Sequence, residues 1–380
     1  MSGKWHMGHS LKPQKSFRHW YAHQLGGGPY YNAPMIRDGQ PYKEKAYVSD
    51  AITEGALAYL KSRQSAAAQP FYLSVHYTAP HSPWDRRNHP ADLFALYEDC
   101  PFESCPDLPI HPLQMNSAPL GRGAERIEIL KGYYAAVTGM DRGVGRILDQ
   151  LEAMGIRENT LVFFVSDNGM NMGHHGIFGK GNGTFPPNMY EESVKVPALV
   201  SRPGHVPEGV AEEGLWSQCD FMPTLLEYLG LENPEAKSLP GRSFAPLLRG
   251  RPVESREAVF VCEEYGPTRM VRDREWKYVH RYPYGPHELY NLREDPNEER
   301  NRIADPSAAP VRQALKARLD DFFHRFSDPA LDGSREPVTG KGQMRRAGPA
   351  GQGQEAFGQD WRYVDENGPR PADYKPLPYA

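Results

Sequence analysis

The chain has 380 residues and a formal net charge of −4, with acidic and basic residues interspersed. That balance argues against nucleic acid or an anionic membrane surface as a partner. No apolar stretch reaches the ~20 residues needed to span a bilayer, and Gly and Pro, at 36 each, mark a loop-rich globular protein. The four cysteines, Cys100, Cys105, Cys219 and Cys262, have no zinc spacing. Cys100 and Cys105 would close a small disulfide loop in an oxidising compartment and remain thiols otherwise.

The first ten residues, MSGKWHMGHS, hold Lys4, His6 and His9. Lys4 and His6 alternate, so an extended segment points both to one side. Residues 11 to 45 are rich in Gly, Pro, Tyr and His. They read as a long irregular connection packed by Phe17, Trp20, Tyr21, Tyr30 and Tyr31 around the turn GGGPYYNAP, of the kind that walls a substrate pocket. Tyr47 to Ser62 reads as a helix capped by Ser49 or Asp50, with Ile52, Ala56, Leu57 and Leu60 on its apolar side. Gln69 to Tyr77 reads as a buried strand ending in TAPHSPW, where Pro80 and Pro83 stiffen the turn around His81. After an irregular insertion over 88 to 123, the spacing of Leu130, Tyr134, Val137, Val144 and Leu148 predicts a long helix from Glu125 to Met154, with Gly155 as its cap.

Val162 to Val165 is an apolar run without alternation, as in a strand covered on both faces. It stops at Ser166, Asp167, Asn168 and Gly169. In a parallel α/β sheet the carboxyl end of a strand is where ligands bind. Asp167 and Asn168 carry hard oxygen donors suited to Ca²⁺ or Mg²⁺, although Asp-Asn-Gly is also a common turn. His174, His175 and Lys180 follow on a loop held by Gly173, Gly176 and Gly179, which suits an anionic substrate. Val196 to Val200 reads as a strand and Ser217 to Leu229 as a helix ended by Gly230. From about residue 256 the alternation changes to that of half-exposed antiparallel strands, followed by a helix from Ala309 to Phe326. Residues 330 to 380 read as extended or disordered, with Trp361 and Tyr363 available to dock.

Taken together, GKWHMG at 3 to 8, APHSP at 79 to 83, YYAAVTGMDRGVGRIL at 133 to 148, SDNG at 166 to 169, GHHGIFGK at 173 to 180, MYEESVKVP at 189 to 197 and ELYNLREDPNE at 288 to 298 resemble, in order, the elements of a sulfatase of the alkaline phosphatase-like superfamily. The resemblance spans roughly residues 1 to 320. It implies an α/β fold with a mostly parallel sheet between helices and a smaller C-terminal antiparallel-sheet module. The expected boundaries are a catalytic domain over 1–250, the module over 251–328 and a tail over 329–380.

The implied activity is a sulfuric ester hydrolase releasing sulfate from a sulfated sugar or an aryl sulfate. The alternatives are a phosphate or phosphonate monoester hydrolase of the same superfamily, and a non-catalytic binder of sulfated ligands. By the same resemblance Lys4 and Lys180 grip sulfate oxygens, and His81 donates to sulfate or acts as general acid. His6 contacts the hydrated nucleophile, and Asp167 and Asn168 ligate the metal, Ca²⁺ first with Mg²⁺ as the alternative. His175 is the framework residue of its loop and His174 the substrate-side one, while Glu191 and Glu192 anchor the loop to Arg or Lys. The family also carries, ahead of the lysine-histidine loop, two metal aspartates and a Cys/Ser-x-Pro-x-Arg segment whose Cys or Ser becomes formylglycine. None of the four cysteines has Pro and Arg at those offsets. The chain therefore reads as lacking the family's N-terminal segment, with weak metal binding and no turnover above background. Localisation stays open: the resemblance implies a family whose members are often periplasmic, secreted or lysosomal, whereas no signal peptide precedes the first motif, so the chain as written reads as cytoplasmic.

Overall fold

The computed structural model describes residues 1–6, 10–64, 69–263, 266–334, 336 and 352, and two short strands, Val364–Asp365 and Gly368–Pro369. His9, Trp361 and Tyr363 lie outside the described residues, as does most of the expected tail. The chain divides into two compact units. One comprises Met1–Leu108 and Ala118–Thr160, and the other Pro109–Ser117 and the described residues from Leu161 onward.

The first unit is built on a five-stranded sheet in the order β4-β3-β2-β1-β5. Its strands are β1 (Ser2–Lys4), β2 (Tyr21–His23), β3 (Ala33–Arg37), β4 (Gln40–Glu44) and β5 (Val75–His76). β1 runs parallel to β2 and β5, while β2, β3 and β4 are successively antiparallel. The sheet is thus mixed, which corrects the expectation of a mostly parallel one. A parallel return needs a crossover of a dozen residues or more. Only the two-residue turn Asp38-Gly39, with φ of 51° and 75°, joins β3 to β4. Two left-handed residues make the tight hairpin turn that Asp-Gly favours. Residues 11 to 45, expected to be irregular, therefore contain three strands.

Helix α1 (Val48–Ser62) begins after Tyr47, with no side-chain cap, so Ser49 and Asp50 lie inside its first turn instead of capping it. Its buried side, including Ile52, joins Tyr30, Met35, Tyr47 and Ala136 in the core. The expected strand over 69 to 77 shrinks to β5. The insertion contains the short helix α2 (Ala91–Ala95). Helix α3 (Gly123–Ala153) is continuous over 31 residues, and Gly155, at φ 66°, follows its end as expected. Gly132 on α3 lies against the backbone of Trp84, where any Cβ would collide. All four cysteines are free thiols.

In the second unit β6 (Val162–Val165) pairs antiparallel with β9 (Ala198–Ser201). β6 is half-buried, with Val165 52% exposed, and on β9 Leu199, opposite Phe164, is 63% exposed. The apolar run had implied cover on both faces; among the described residues its ladder partner is β9 alone. Between them lie the short pair β7 (Asn171–Met172) and β8 (Phe178–Gly179), and the single-turn helix α4 (Glu191–Val194). Helix α5 (Phe221–Tyr228) follows a turn capped by Ser217, and Gly230 closes it at φ 69°.

Strands β10 (Val259–Cys262), β11 (Thr268–Arg272), β12 (Trp276–Arg281) and β13 (Glu288–Asn291) form an antiparallel meander. Helix α6 (Ala309–Phe326) covers one face, packing Leu315 and Leu319 on Val271, Tyr278 and Leu289. Met189 and Val194 pack on Met270 and Val279. The central strands are therefore buried and not half-exposed as the alternation suggested. No helix among the described residues is long and apolar enough to cross a membrane.

Candidate functional site

Parallel strands end at the same edge of a sheet, and that edge gathers the first unit's polar side chains. Lys4 closes β1 in register with His23 on β2, and Gly3 beside it is in register with His76 on β5. The Lys4 carbonyl lies 2.9 Å from His76 Nδ1. Past β5 the chain turns so that the His81 amide donates to the Thr78 carbonyl at 2.9 Å, and the His81 carbonyl accepts from the Tyr30 hydroxyl at 2.8 Å. His81 Nδ1 lies 2.8 Å from the Ser82 carbonyl. Lys4 is half-buried, whereas His6 and His81 are exposed. Three of the expected residues are thus brought to one edge.

A residue the sequence reading passed over stands among them. His23 is fully buried, and its Nδ1 lies 2.7 Å from the Leu25 carbonyl. Burial lowers its pKa, the Leu25 bond opposes this, and the nearby Lys4 and His81 charges lower it further. The imidazole is accordingly neutral at pH 7. A polar residue alternating with Tyr21 in YAH was the available signal, hidden because this stretch was read as a loop.

The second unit gathers the SDNG loop. The Asn168 amide donates to Asp167 Oδ1 at 2.9 Å, and Ser166 Oγ donates to the Asn168 carbonyl at 2.8 Å. Gln218 Nε2 donates to the carbonyls of Ser166 at 2.7 Å and Asp167 at 3.0 Å. Gly169 lies against the backbone of Glu192, which leaves no room for a side chain. Lys180 Nζ donates to Asn168 Oδ1 at 3.3 Å. Asp167, Asn168 and Lys180 therefore share one loop cluster, as the sequence implied. As a calcium site the cluster is incomplete: a carboxylate and an amide are a minority of the roughly six to eight oxygens Ca²⁺ takes, and an ammonium already bonds the amide oxygen.

His174 and His175 diverge in role. His175, at φ 56°, stacks on Tyr190 with centroids 3.7 Å apart and points Nε2 at Glu192 Oε2, 3.3 Å away. Burial pushes Glu192 up, but the His175 hydrogen bond prevails and leaves its pKa at about 2. His174 is half-buried, with Nδ1 buried and unpartnered.

His175, Glu192 and Glu298 form the three-donor group able to hold a metal among the described residues, their ligand atoms lying within 4.8 Å of one another. A cation is already present there. The fully buried Lys277 Nζ lies 2.7 Å from both Glu298 Oε1 and Glu191 Oε1, and donates to the Met189 carbonyl at 2.9 Å. Arg272 adds a contact to Glu191 at 3.4 Å. Glu191 thus anchors α4 to Lys and Arg as expected. Glu298, the last residue of the ELYNLREDPNE element, supplies the other carboxylate for Lys277.

The serine form of the Cys/Ser-x-Pro-x-Arg spacing does occur once, from Ser238 to Arg242. Its groups serve the loop: Ser238 Oγ donates to Glu235, the Pro240 carbonyl accepts from Arg256, and the Arg242 amide donates to Asp220.

The family model described as Sulfatase matches residues 1–231, and that described as N-sulphoglucosamine sulphohydrolase, C-terminal, matches residues 173–325. The chain belongs to the sulfatase family. This sulfatase is 26% identical to an N-acetylglucosamine-6-O-sulfatase of Bacteroides thetaiotaomicron, over 91% of the chain and 73% of that protein. It is 32% identical to an endo-4-O-sulfatase of the same organism over 61% of the chain, and 28% identical to a choline-sulfatase of Rhizobium meliloti over 82%. The chain spans 43% and 60%, respectively, of those two relatives. In fold it is similar to a protein solved in complex with D-glucosamine-2-N,6-O-disulfate, with a TM-score of 0.72 at 23% identity, over 88% of this chain and 81% of that one.

Proposed function

We propose that this sulfatase serves the hydrolysis of a sulfate ester on a sugar. The observation that carries the reading is the placement of Lys4 and His81 around His23 at the carboxyl edge of β1, β2 and β5, with His6 against Gly26 beside the glycine that faces His81. A sulfate ester needs its oxygens held by fixed cations and donors while the bridging oxygen gains a proton. Lys4 suits the first task as a point charge. His81, exposed and held at its Nδ1 side, suits the second, and His6 suits a further contact to the sulfate group. The sugar assignment draws on the N-acetylglucosamine-6-O-sulfatase, whose likeness extends over most of the chain.

Turnover also requires a nucleophile. None of the cysteines has the required spacing and Ser238 is tied into its loop, so the purified chain is expected to cleave an aryl sulfate no faster than background. Hydrolysis at ordinary enzyme rates would overturn that expectation. Binding is the direct test of the site. Calorimetry with inorganic sulfate and with glucosamine-6-sulfate should detect uptake that Lys4→Met abolishes. Uptake unaffected by that substitution, or none at all, would sink the reading.

A further inference from the structure

The loop after β2 contains Gly26, Gly27 and Gly28, and each faces a different imidazole. A Cβ on Gly26 would lie 2.6 Å from His6 Cε1, and one on Gly27 would lie 2.7 Å from His81 Cε1. Both are far inside the contact distance of carbon atoms. A Cβ on Gly28 would meet His23 Cε1 at 3.5 Å, an ordinary contact. The first two glycines therefore leave space that the exposed rings of His6 and His81 occupy.

His23 fastens this strip. Its Nδ1 lies 2.7 Å from the Leu25 carbonyl and 3.1 Å from the Leu25 amide, so in one tautomer it donates to the carbonyl and in the other it accepts from the amide. The opposite ring nitrogen, Nε2, is buried without a partner. An apolar side chain would fill the same volume without that desolvation cost. The polar ring is thus explained by what Nδ1 holds and by its place beside Lys4, its register partner.

We propose that Gly26 and Gly27, anchored by His23 through Leu25, form a positioning platform that sets the ring placement of His6 and His81 for sulfate binding. The proposal rests on the reading of Lys4, His6 and His81 as a sulfate-binding cluster. His23 acts through the strip and is a positioning residue.

The test uses the whole chain, with histidine rings isotopically labelled and inorganic sulfate as the probe. Gly26→Ala and Gly27→Ala should each weaken sulfate binding about tenfold or more with little change in melting temperature, because the clash is relieved by turning an exposed ring. Gly28→Ala should bind as the parent chain does. His23→Phe should weaken binding to a similar degree, and His23→Asn, whose amide can still reach the Leu25 peptide, should restore most of it. Parent-like binding by both Gly26→Ala and Gly27→Ala, or equal losses in His23→Asn and His23→Phe, would overturn the proposal. If the parent chain takes up no sulfate, the functional reading has failed, and the platform is judged by ring signals alone. Gly26→Ala should then shift the His6 signals and Gly27→Ala those of His81, while Gly28→Ala shifts neither; any other pattern rejects the platform. Should an alanine variant fail to fold, the His23→Phe and His23→Asn pair decides by the same criteria.

Discussion

Two clusters in this molecule use the same kinds of side chain for opposite ends. At the edge of β1, Lys4 is half-buried beside the exposed rings of His6 and His81, over glycines that leave the rings room. Around β12, Lys277 is fully buried between Glu191 and Glu298, while His175 lies between Tyr190 and Glu192. A lysine whose charge is met by two carboxylates in a dry site is a lock. The lysine proposed to grip sulfate sits instead at a sheet edge among exposed imidazoles. Residue type does not separate the two; exposure does.

The sharpest way to break this contrast is to remove each lysine. Lys277→Met strips the buried Glu298 of its cation and leaves the half-buried Glu191 with Arg272 alone, and should cost about 3–5 kcal/mol, read as a lowered urea midpoint. Lys4→Met should cost under about 1 kcal/mol and abolish sulfate binding instead. Equal stability losses would erase the distinction.

Acid should weaken both units alike through buried neutral imidazoles. Burial lowers the pKa of His89 in the first unit and of His280 in the second to about 4. His89 is fixed as a neutral ring, with Nε2 3.1 Å from the Pro83 carbonyl and Nδ1 3.2 Å from the Tyr47 hydroxyl. A histidine with a depressed folded pKa takes its proton first in the unfolded chain, so stability is lost as pH falls from about 6.5 towards 4. Each should contribute on the order of 2 kcal/mol of destabilisation between pH 7 and 5. His89→Gln and His280→Gln should each flatten the fall in melting temperature over that range; an unchanged slope would show the rings charged when folded.

Glu192 acts with the same sign in a lower pH window. Its stabilisation is present above pH 4.5 and is lost as pH falls towards 2. Glu192→Gln should cost about 1–2 kcal/mol at pH 7, with the difference from the parent narrowing below pH 4. The smallest effect belongs to Lys316, whose exposed pairing with Asp320 sits one helical turn away. Lys316→Ala should change stability by no more than about 0.5 kcal/mol, which sets the floor against which Lys277 is measured.

The sequence by itself determined the family, through short polar motifs in a fixed order, and the long helices, through their periodicity. α6 falls on Ala309–Phe326 as read, and α3 within two residues of its expected ends. It also named Lys4, His6, His81, Asp167, Asn168 and Lys180, because polar groups that interrupt apolar runs are visible in one dimension. Only the tertiary structure decided sheet direction and cover. Strands as short as Tyr21–His23 carry too few residues for alternation to register, and burial of β11 and β12 depends on what packs from distant segments. The same holds for His23 and Lys277. Each looks like an ordinary residue of a strand until its neighbours, Lys4 and Leu25 for one and Glu191 and Glu298 for the other, are brought to it by pairing and packing that no local pattern encodes.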